Sequence, residues 1–125
     1  MILGLGHPRT GTSYTAKLCR LWGLKVGHET PWADGVVGWQ YVHPTGPYPF
    51  DASVQSGRPK YDHLIYNVRD PSYSLASIIH TEDVVSDSRN FRRNLIDIPS
   101  ANKVEFAISS IITFDKLITE MKPRV

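Results

Sequence analysis

Apolar residues fall along this chain in short blocks, and their spacing changes from block to block. Ile2 to Leu5 is a compact apolar run closed by a glycine, the pattern of a buried strand. Tyr14, Leu18, Leu21 and Trp22 then recur at i, i+4, i+7 and i+8, which predicts one face of a helix over about residues 12–22. Gly23 is a natural stop for it. Leu24 to Val26 predicts a second short strand, and Asp34 is placed to cap a short helix carrying Val36, Val37 and Trp39. Residues 43–60 hold four of the nine prolines, which marks a loop. His63 to Val68 reads as the next strand and SYSLASIIH as the next helix, with Asp70 as N-cap and Pro71 in its first position. Residues 81–100 are polar and predict an irregular or partly helical excursion. From about 101 to 121, Val104, Ala107, Ile108, Ile111, Ile112, Phe114, Leu117 and Ile118 form a long apolar stripe that predicts a helix. Pro123 ends it, and Arg124–Val125 could begin another strand.

Strands alternating with helices predict an α/β domain of three layers, a parallel sheet covered by helices on both faces. The chain of 125 residues suits one domain, 1–125. Three strands are visible, few for such a sheet, so the domain is expected to be small or truncated, incomplete at its C-terminal end.

Composition narrows the function classes. The formal charge of +2 gives no argument for a nucleic-acid partner. No apolar run is long enough to span a bilayer, which needs about 18 residues or more, and the N-terminus has no basic leader. Cys19 is the only cysteine, so no intrachain disulfide is possible and a reducing, cytoplasmic setting is expected. Oligomeric state is not legible.

The densest chemistry lies at GHPRTGTS, residues 6–13. The frame Gly-x-x-x-x-Gly followed by hydroxyl residues is that of a phosphate-binding loop. Thr12 stands where such a loop carries lysine, and Arg9 sits inside it. A strand before and a helix after would place the loop at the carboxyl edge of the sheet, where open α/β folds bind ligands. Gly6 and Gly11 allow a tight turn, and the helix N-terminus adds N–H donors and a positive dipole end. Thr10, Thr12 and Ser13 add hydroxyls, and Arg9 a permanent charge with forked donors. The missing lysine, and the lack of a clear Asp after an apolar strand to hold magnesium, count against triphosphate hydrolysis.

A second constellation is RDPSYSLAS, residues 69–77. Arg69 would end a strand and point into the same crevice, with Ser77 on the helix behind it. GHPRTGTSY followed by NVRDPSYSLAS resembles the paired signature of the sulfotransferase family. The likeness runs from about residue 2 to the end of the chain, and its specificity rests on these two motifs. It implies a P-loop-type nucleotide-binding sheet and a 3′-phosphoadenosine 5′-phosphosulfate (PAPS) donor, with 3′,5′-adenosine bisphosphate (PAP) as product. Gly6, His7, Pro8, Arg9, Thr10, Gly11, Thr12 and Ser13 would form the donor loop. Arg9 would sit near the sulfuryl group and its bridging oxygen, with residues 10–13 around the 5′-phosphate. Arg69 and Ser77 would hold the 3′-phosphate. Two departures stand out. The family's last strand and its Gly- and Lys-containing loop have no counterpart, and Pro8 directly precedes Arg9, as in many bacterial and carbohydrate-type members.

Sulfuryl transfer needs positioned positive charge on the donor and a base for the acceptor hydroxyl. The base should project from the end of the second strand, where GHET offers His28 and Glu29. A histidine suits proton transfer near neutrality unaided; a glutamate can act while ionised by orienting the hydroxyl. The likeness to carbohydrate-type members, where a glutamate often serves, favours Glu29. His43, His63 and His80 have no metal-ligand spacing to one another or to Cys19, so no metal is expected. Arg89, Arg92 and Arg93 read as a solvated face. Trp32, Trp39, Tyr41, Tyr48 and Phe50 flank the expected crevice and suit either a sugar or a core. The expected activity is therefore sulfuryl transfer from PAPS to a small-molecule or carbohydrate hydroxyl. The alternatives are a non-catalytic PAP- or nucleotide-binding remnant and a small P-loop kinase.

Overall fold

The structure is a computed structural model that describes residues 1–44, 57–81, 92 and 102–122. The elements are β1 (Ile2–Leu5), α1 (Thr12–Leu21), β2 (Val26–His28), β3 (Gly35–Val37), a 3-10 turn (Trp39–Val42), β4 (His63–Tyr66), α2 (Pro71–Thr81) and α3 (Lys103–Glu120). Most of the expected loop at 43–60, nearly all of the excursion at 81–100, Pro123 and the strand start at Arg124–Val125 lie outside the described residues.

The sheet has four strands in the order β2-β3-β1-β4, every neighbouring pair parallel. Each strand turns alternate side chains to opposite faces, and this sorts the core into two halves. Leu3, Leu5, Val36 and Leu64 meet Phe114 and Ile118 of α3 together with Trp39, Tyr41 and Val42. On the other face Val26 and Val37, with Ile2 and Leu24, meet Ala16 and Cys19 of α1. Helices therefore cover both faces, giving three layers.

Two expectations are corrected. The short helix after Asp34 is strand β3: Gly35, Val36 and Val37 are all buried. Asp34 caps no helix; its carboxylate accepts from the Lys25 N–H at 2.6 Å, and its own N–H donates to the Lys25 carbonyl at 2.9 Å. Gly35 has φ 151, and a Cβ there would lie 2.0 Å from the Ile2 carbonyl oxygen, so this edge of β1 admits only glycine. Parallel neighbours normally need a long crossover. Here residues 29–34 suffice, because strands of three residues are only about 10 Å long and six extended residues reach about 20 Å.

The second correction concerns α1. Tyr14, Leu21 and Trp22, expected to face the core, are 70%, 82% and 71% exposed. The buried stripe is Thr12, Ala16 and Cys19, equally helical in spacing but made of small side chains, which let the helix lie close on the sheet. In α3 the expected stripe is divided. Ala107, Phe114 and Ile118 are buried, whereas Val104, Ile108 and Ile112 are exposed. Asn102 caps α3, its side chain accepting from the Glu105 N–H at 2.9 Å. Among the described residues no helix is long and apolar enough to cross a membrane.

The two kinds of apolar position should separate by mutation. Phe114→Ala removes a fully buried ring and should cost about 3–5 kcal/mol of unfolding free energy. Leu21→Gln should stay within about 0.5 kcal/mol of the parent. Urea denaturation of both variants measures this.

Candidate functional site

β1 lies between β3 and β4. The chain leaves it for one side of the sheet (β2, β3) and returns to the other (β4), so the crevice at its carboxyl end is the switch point of the sheet. Residues 6–11 occupy that place. Asn67, just after β4, fastens it. Its backbone N–H and its Nδ2 both donate to the Leu5 carbonyl, at 2.7 and 2.9 Å, and its Oδ1 accepts from the Thr15 hydroxyl of α1. The loop then folds on itself, the Thr10 N–H and hydroxyl donating to the His7 carbonyl at 3.1 and 2.7 Å. Arg9 has φ 78 and Gly11 φ 98, a conformation open to glycine and strained for arginine.

The loop delivers an open helix N-terminus. Gly11 caps α1 with no side-chain hydrogen bond, and no acidic residue stands in the first turn. A Cβ built on Gly11 meets no other described residue within 4 Å. Uncapped N–H groups and the positive dipole end together favour an anion.

Residues of the second motif reach this loop. The Arg69 Nη1 donates to the Arg9 carbonyl at 3.0 Å, and the Arg9 Nε donates to the Ser77 Oγ at 3.1 Å. The Arg69 guanidinium also stands 5.8 Å from the Tyr73 ring centre. Asp70 takes the N-cap place of α2. Hydrogen bonds from the Ser72 hydroxyl and N–H hold its carboxyl below the usual carboxylate range. A cavity of about 470 Å³ opens beside β4 between α2 and α3, with Thr10, Asn67 and Arg69 in its lining and Leu75, Ile111 and Ile112 as apolar wall.

On the other side of the loop, the Thr12 hydroxyl is 3.3 Å from the His28 Nε2, and the same nitrogen is 3.9 Å from the Glu29 Oε1. Both contacts use one ring nitrogen, so the three side chains form a cluster and not a relay through the imidazole. Glu29 is held closely: Trp39 Nε1 donates to its Oε1 at 2.8 Å. His28 and Glu29 each keep about a third of their side-chain surface exposed.

Two expected residues behave differently. The His7 side chain turns away from the loop surface and is 2% exposed. Its Nδ1 donates to the Pro8 carbonyl at 2.6 Å, which leaves Nε2 to accept from the Ser110 hydroxyl at 2.5 Å. Its ring braces the loop from beneath through the Pro8 carbonyl. Burial, reinforced by the nearby Arg92 charge, lowers the His7 pKa to about 3. Arg92 is not on a solvated face. It is fully buried, donating to Ser110 Oγ at 2.8 Å with its guanidinium 5.0 Å from the Phe106 ring centre. Desolvation lowers its pKa to about 9, so it remains a cation at neutral pH. Arg89 and Arg93, like Tyr48 and Phe50, lie outside the described residues.

Sequence reasoning passed over Asn67, Thr15 and Ser110. A polar residue interrupting the apolar run HLIYNV was the available signal for Asn67; nothing local marks Ser110, which meets His7 from far along the chain. Trp39 and Tyr41 belong to the core, while Trp32 is 49% exposed, under the Arg20 guanidinium at 5.2 Å. No protein-family model, curated protein or solved structure matches this chain.

Two measurements probe this architecture. A Cβ on Gly6 would lie 2.5 Å from Thr10 Oγ1 and 2.9 Å from Asn67 Cβ, so Gly6→Ala should lower stability by on the order of 1–3 kcal/mol, read by urea denaturation. His7 is neutral in the folded chain down to about pH 3 but titrates at 6.5 when unfolded. Between these values the unfolded chain binds more protons, so stability should fall as pH drops, with a slope of up to about 1.4 kcal/mol per pH unit. His7→Gln should flatten that slope.

Proposed function

We propose that this chain binds PAPS and transfers its sulfuryl group to the hydroxyl of a small-molecule or carbohydrate acceptor. The observation that carries the reading is the junction of the two motifs. Arg69 reaches the Arg9 carbonyl and Arg9 reaches Ser77, at the mouth of an uncapped helix N-terminus. A donor with phosphates on the 3′ and 5′ oxygens of one ribose needs two such anion positions side by side. Residues 10–13 with the α1 N-terminus would take the 5′-phosphosulfate, Arg69 and Ser77 the 3′-phosphate. The cavity beside Arg69 offers volume for the nonpolar part of a ligand.

In the transfer itself the acceptor oxygen forms a bond to sulfur while the bond from sulfur to the phosphate oxygen breaks. The electron pair leaves with PAP, and the hydroxyl proton passes to a base at the end of β2. Arg9 and the loop N–H groups would oppose charge gathering on the leaving oxygen. Within that donor loop the Thr12 hydroxyl lies 3.3 Å from the His28 Nε2, a contact that supports donor and base sharing one crevice.

Calorimetric titration with PAP beside ATP tests the reading. PAP should bind tighter than ATP, and Arg69→Ala should weaken PAP by tenfold or more, the loss of a charge-assisted contact of about 1.5–3 kcal/mol. Equal binding of ATP, with no effect of Arg69→Ala, would sink it. PAP binding without turnover of labelled PAPS on any sugar or alcohol would instead favour a non-catalytic nucleotide-binding role.

A further inference from the structure

Glu29 is a strained residue under unusual restraint. Its φ of 62 is left-handed, a conformation that a non-glycine residue keeps only when its surroundings impose it. Here three consecutive residues impose it. The Gln40 Nε2 and the Tyr41 hydroxyl both donate to the Glu29 carbonyl, at 2.8 and 2.9 Å, and the Trp39 Nε1 donates to its carboxylate at 2.8 Å. From below, the Glu29 N–H donates to the Val37 carbonyl at 2.9 Å. The turn that supplies these donors is itself fixed, because the Arg58 Nε donates to the Tyr41 carbonyl at 2.7 Å and its Nη2 to the Val42 carbonyl.

The burial is asymmetric. Trp39, Gln40 and Tyr41 are 7%, 1% and 1% exposed, whereas a third of the Glu29 side chain is open. Buried donors thus hold a residue whose acidic end reaches solvent beside Thr12 and His28. A glycine at this position would keep the two carbonyl bonds and shed the strain. What glutamate adds is a carboxylate in a set orientation. Backbone strain of this kind concentrates where a side chain must be aimed.

We propose that the turn Trp39–Val42 is a clamp that aims the Glu29 carboxylate at the acceptor hydroxyl. Trp39 fixes the rotation of the carboxylate, and Gln40 and Tyr41 fix its backbone. The three are positioning residues, and Glu29, of the two candidates after β2, is the group that takes the hydroxyl proton. This assignment rests on the sulfuryl-transfer reading for the identity of the reaction.

The test compares Glu29→Gly, Trp39→Phe and Tyr41→Phe with the parent chain in three measurements: melting temperature, calorimetric affinity for PAP, and transfer from labelled PAPS to water and to a panel of monosaccharides and alcohols. Glu29→Gly should lose transfer, and made on the Trp39→Phe background, where the indole N–H bond to the carboxylate is already gone, it should melt higher than Trp39→Phe alone, because only the strain is then removed. Trp39→Phe should keep PAP affinity and the KM for PAPS while kcat falls tenfold or more. If Trp39→Phe melts too low to assay, Tyr41→Phe carries the same expectation in kcat. A lower melting temperature for the Glu29→Gly, Trp39→Phe pair than for Trp39→Phe would show that glutamate serves the fold and would overturn the clamp, as would a kcat for the aromatic variants within twofold of the parent. Should the parent chain not bind PAP, the sulfuryl reading fails separately, and the direction of that melting shift on the Trp39→Phe background alone decides the clamp.

Discussion

The Leu5 carbonyl is the point on which the rest of this structure turns. It receives two hydrogen bonds from Asn67, one from the main chain and one from the side chain, at the last residue of the central strand. The amide also receives the Thr15 hydroxyl from α1. One buried side chain therefore ties β1, β4 and α1 together just where the regular ladder ends and the loop begins. Buried polar groups left unpaired are costly, and these partners satisfy one another only if all three elements are in register. Gly6, the next residue, packs so closely on Asn67 that a methyl group would overlap it. The start of the loop and the place of Arg69, two residues beyond Asn67, are set by the same contact.

Above and below this point the molecule uses positive charge in two ways. Arg9 and Arg69 are exposed and meet at an uncapped helix end, where an anion can approach from solvent. Arg92 lies beneath, fully buried between His7, Ser110 and the Phe106 ring. Burial, reinforced by its field, keeps His7 neutral, so the layer directly under the loop carries a cation of its own.

Much of this was legible from residues 2–22 and 63–81, where strand, loop and helix follow one another with strong local signals: an apolar run, paired glycines, an Asp-Pro start. The helix over 103–120 was legible too, because its apolar residues recur over many turns. What was not legible was which stripe a helix buries. α1 has two stripes at helical spacing, and only contact with the sheet selects Ala16 and Cys19 over Tyr14 and Leu21. β3 was missed since three residues cannot display a period, and Asp34 looked like a cap when its partner was a strand. The two motifs at residues 6–13 and 69–77, far apart in the sequence, adjoin in the fold through Arg9 and Arg69. The restraint on Glu29 could not be read in advance, because no local pattern marks a left-handed glutamate or the turn that holds it.

The register of β1 has a consequence for how the chain acquires its structure. Ile2 pairs with Gly35 on one side and His63 on the other, so the central strand precedes both of its neighbours in the sequence and is enclosed only when the second arrives. Contacts of such long separation slow folding, since loop closure precedes any reward from burial. During synthesis β1 emerges before β3 and β4 and waits, apolar on both faces, until β4 has left the ribosome. The strand that anchors the finished sheet is thus open to wrong partners while the sheet is being made.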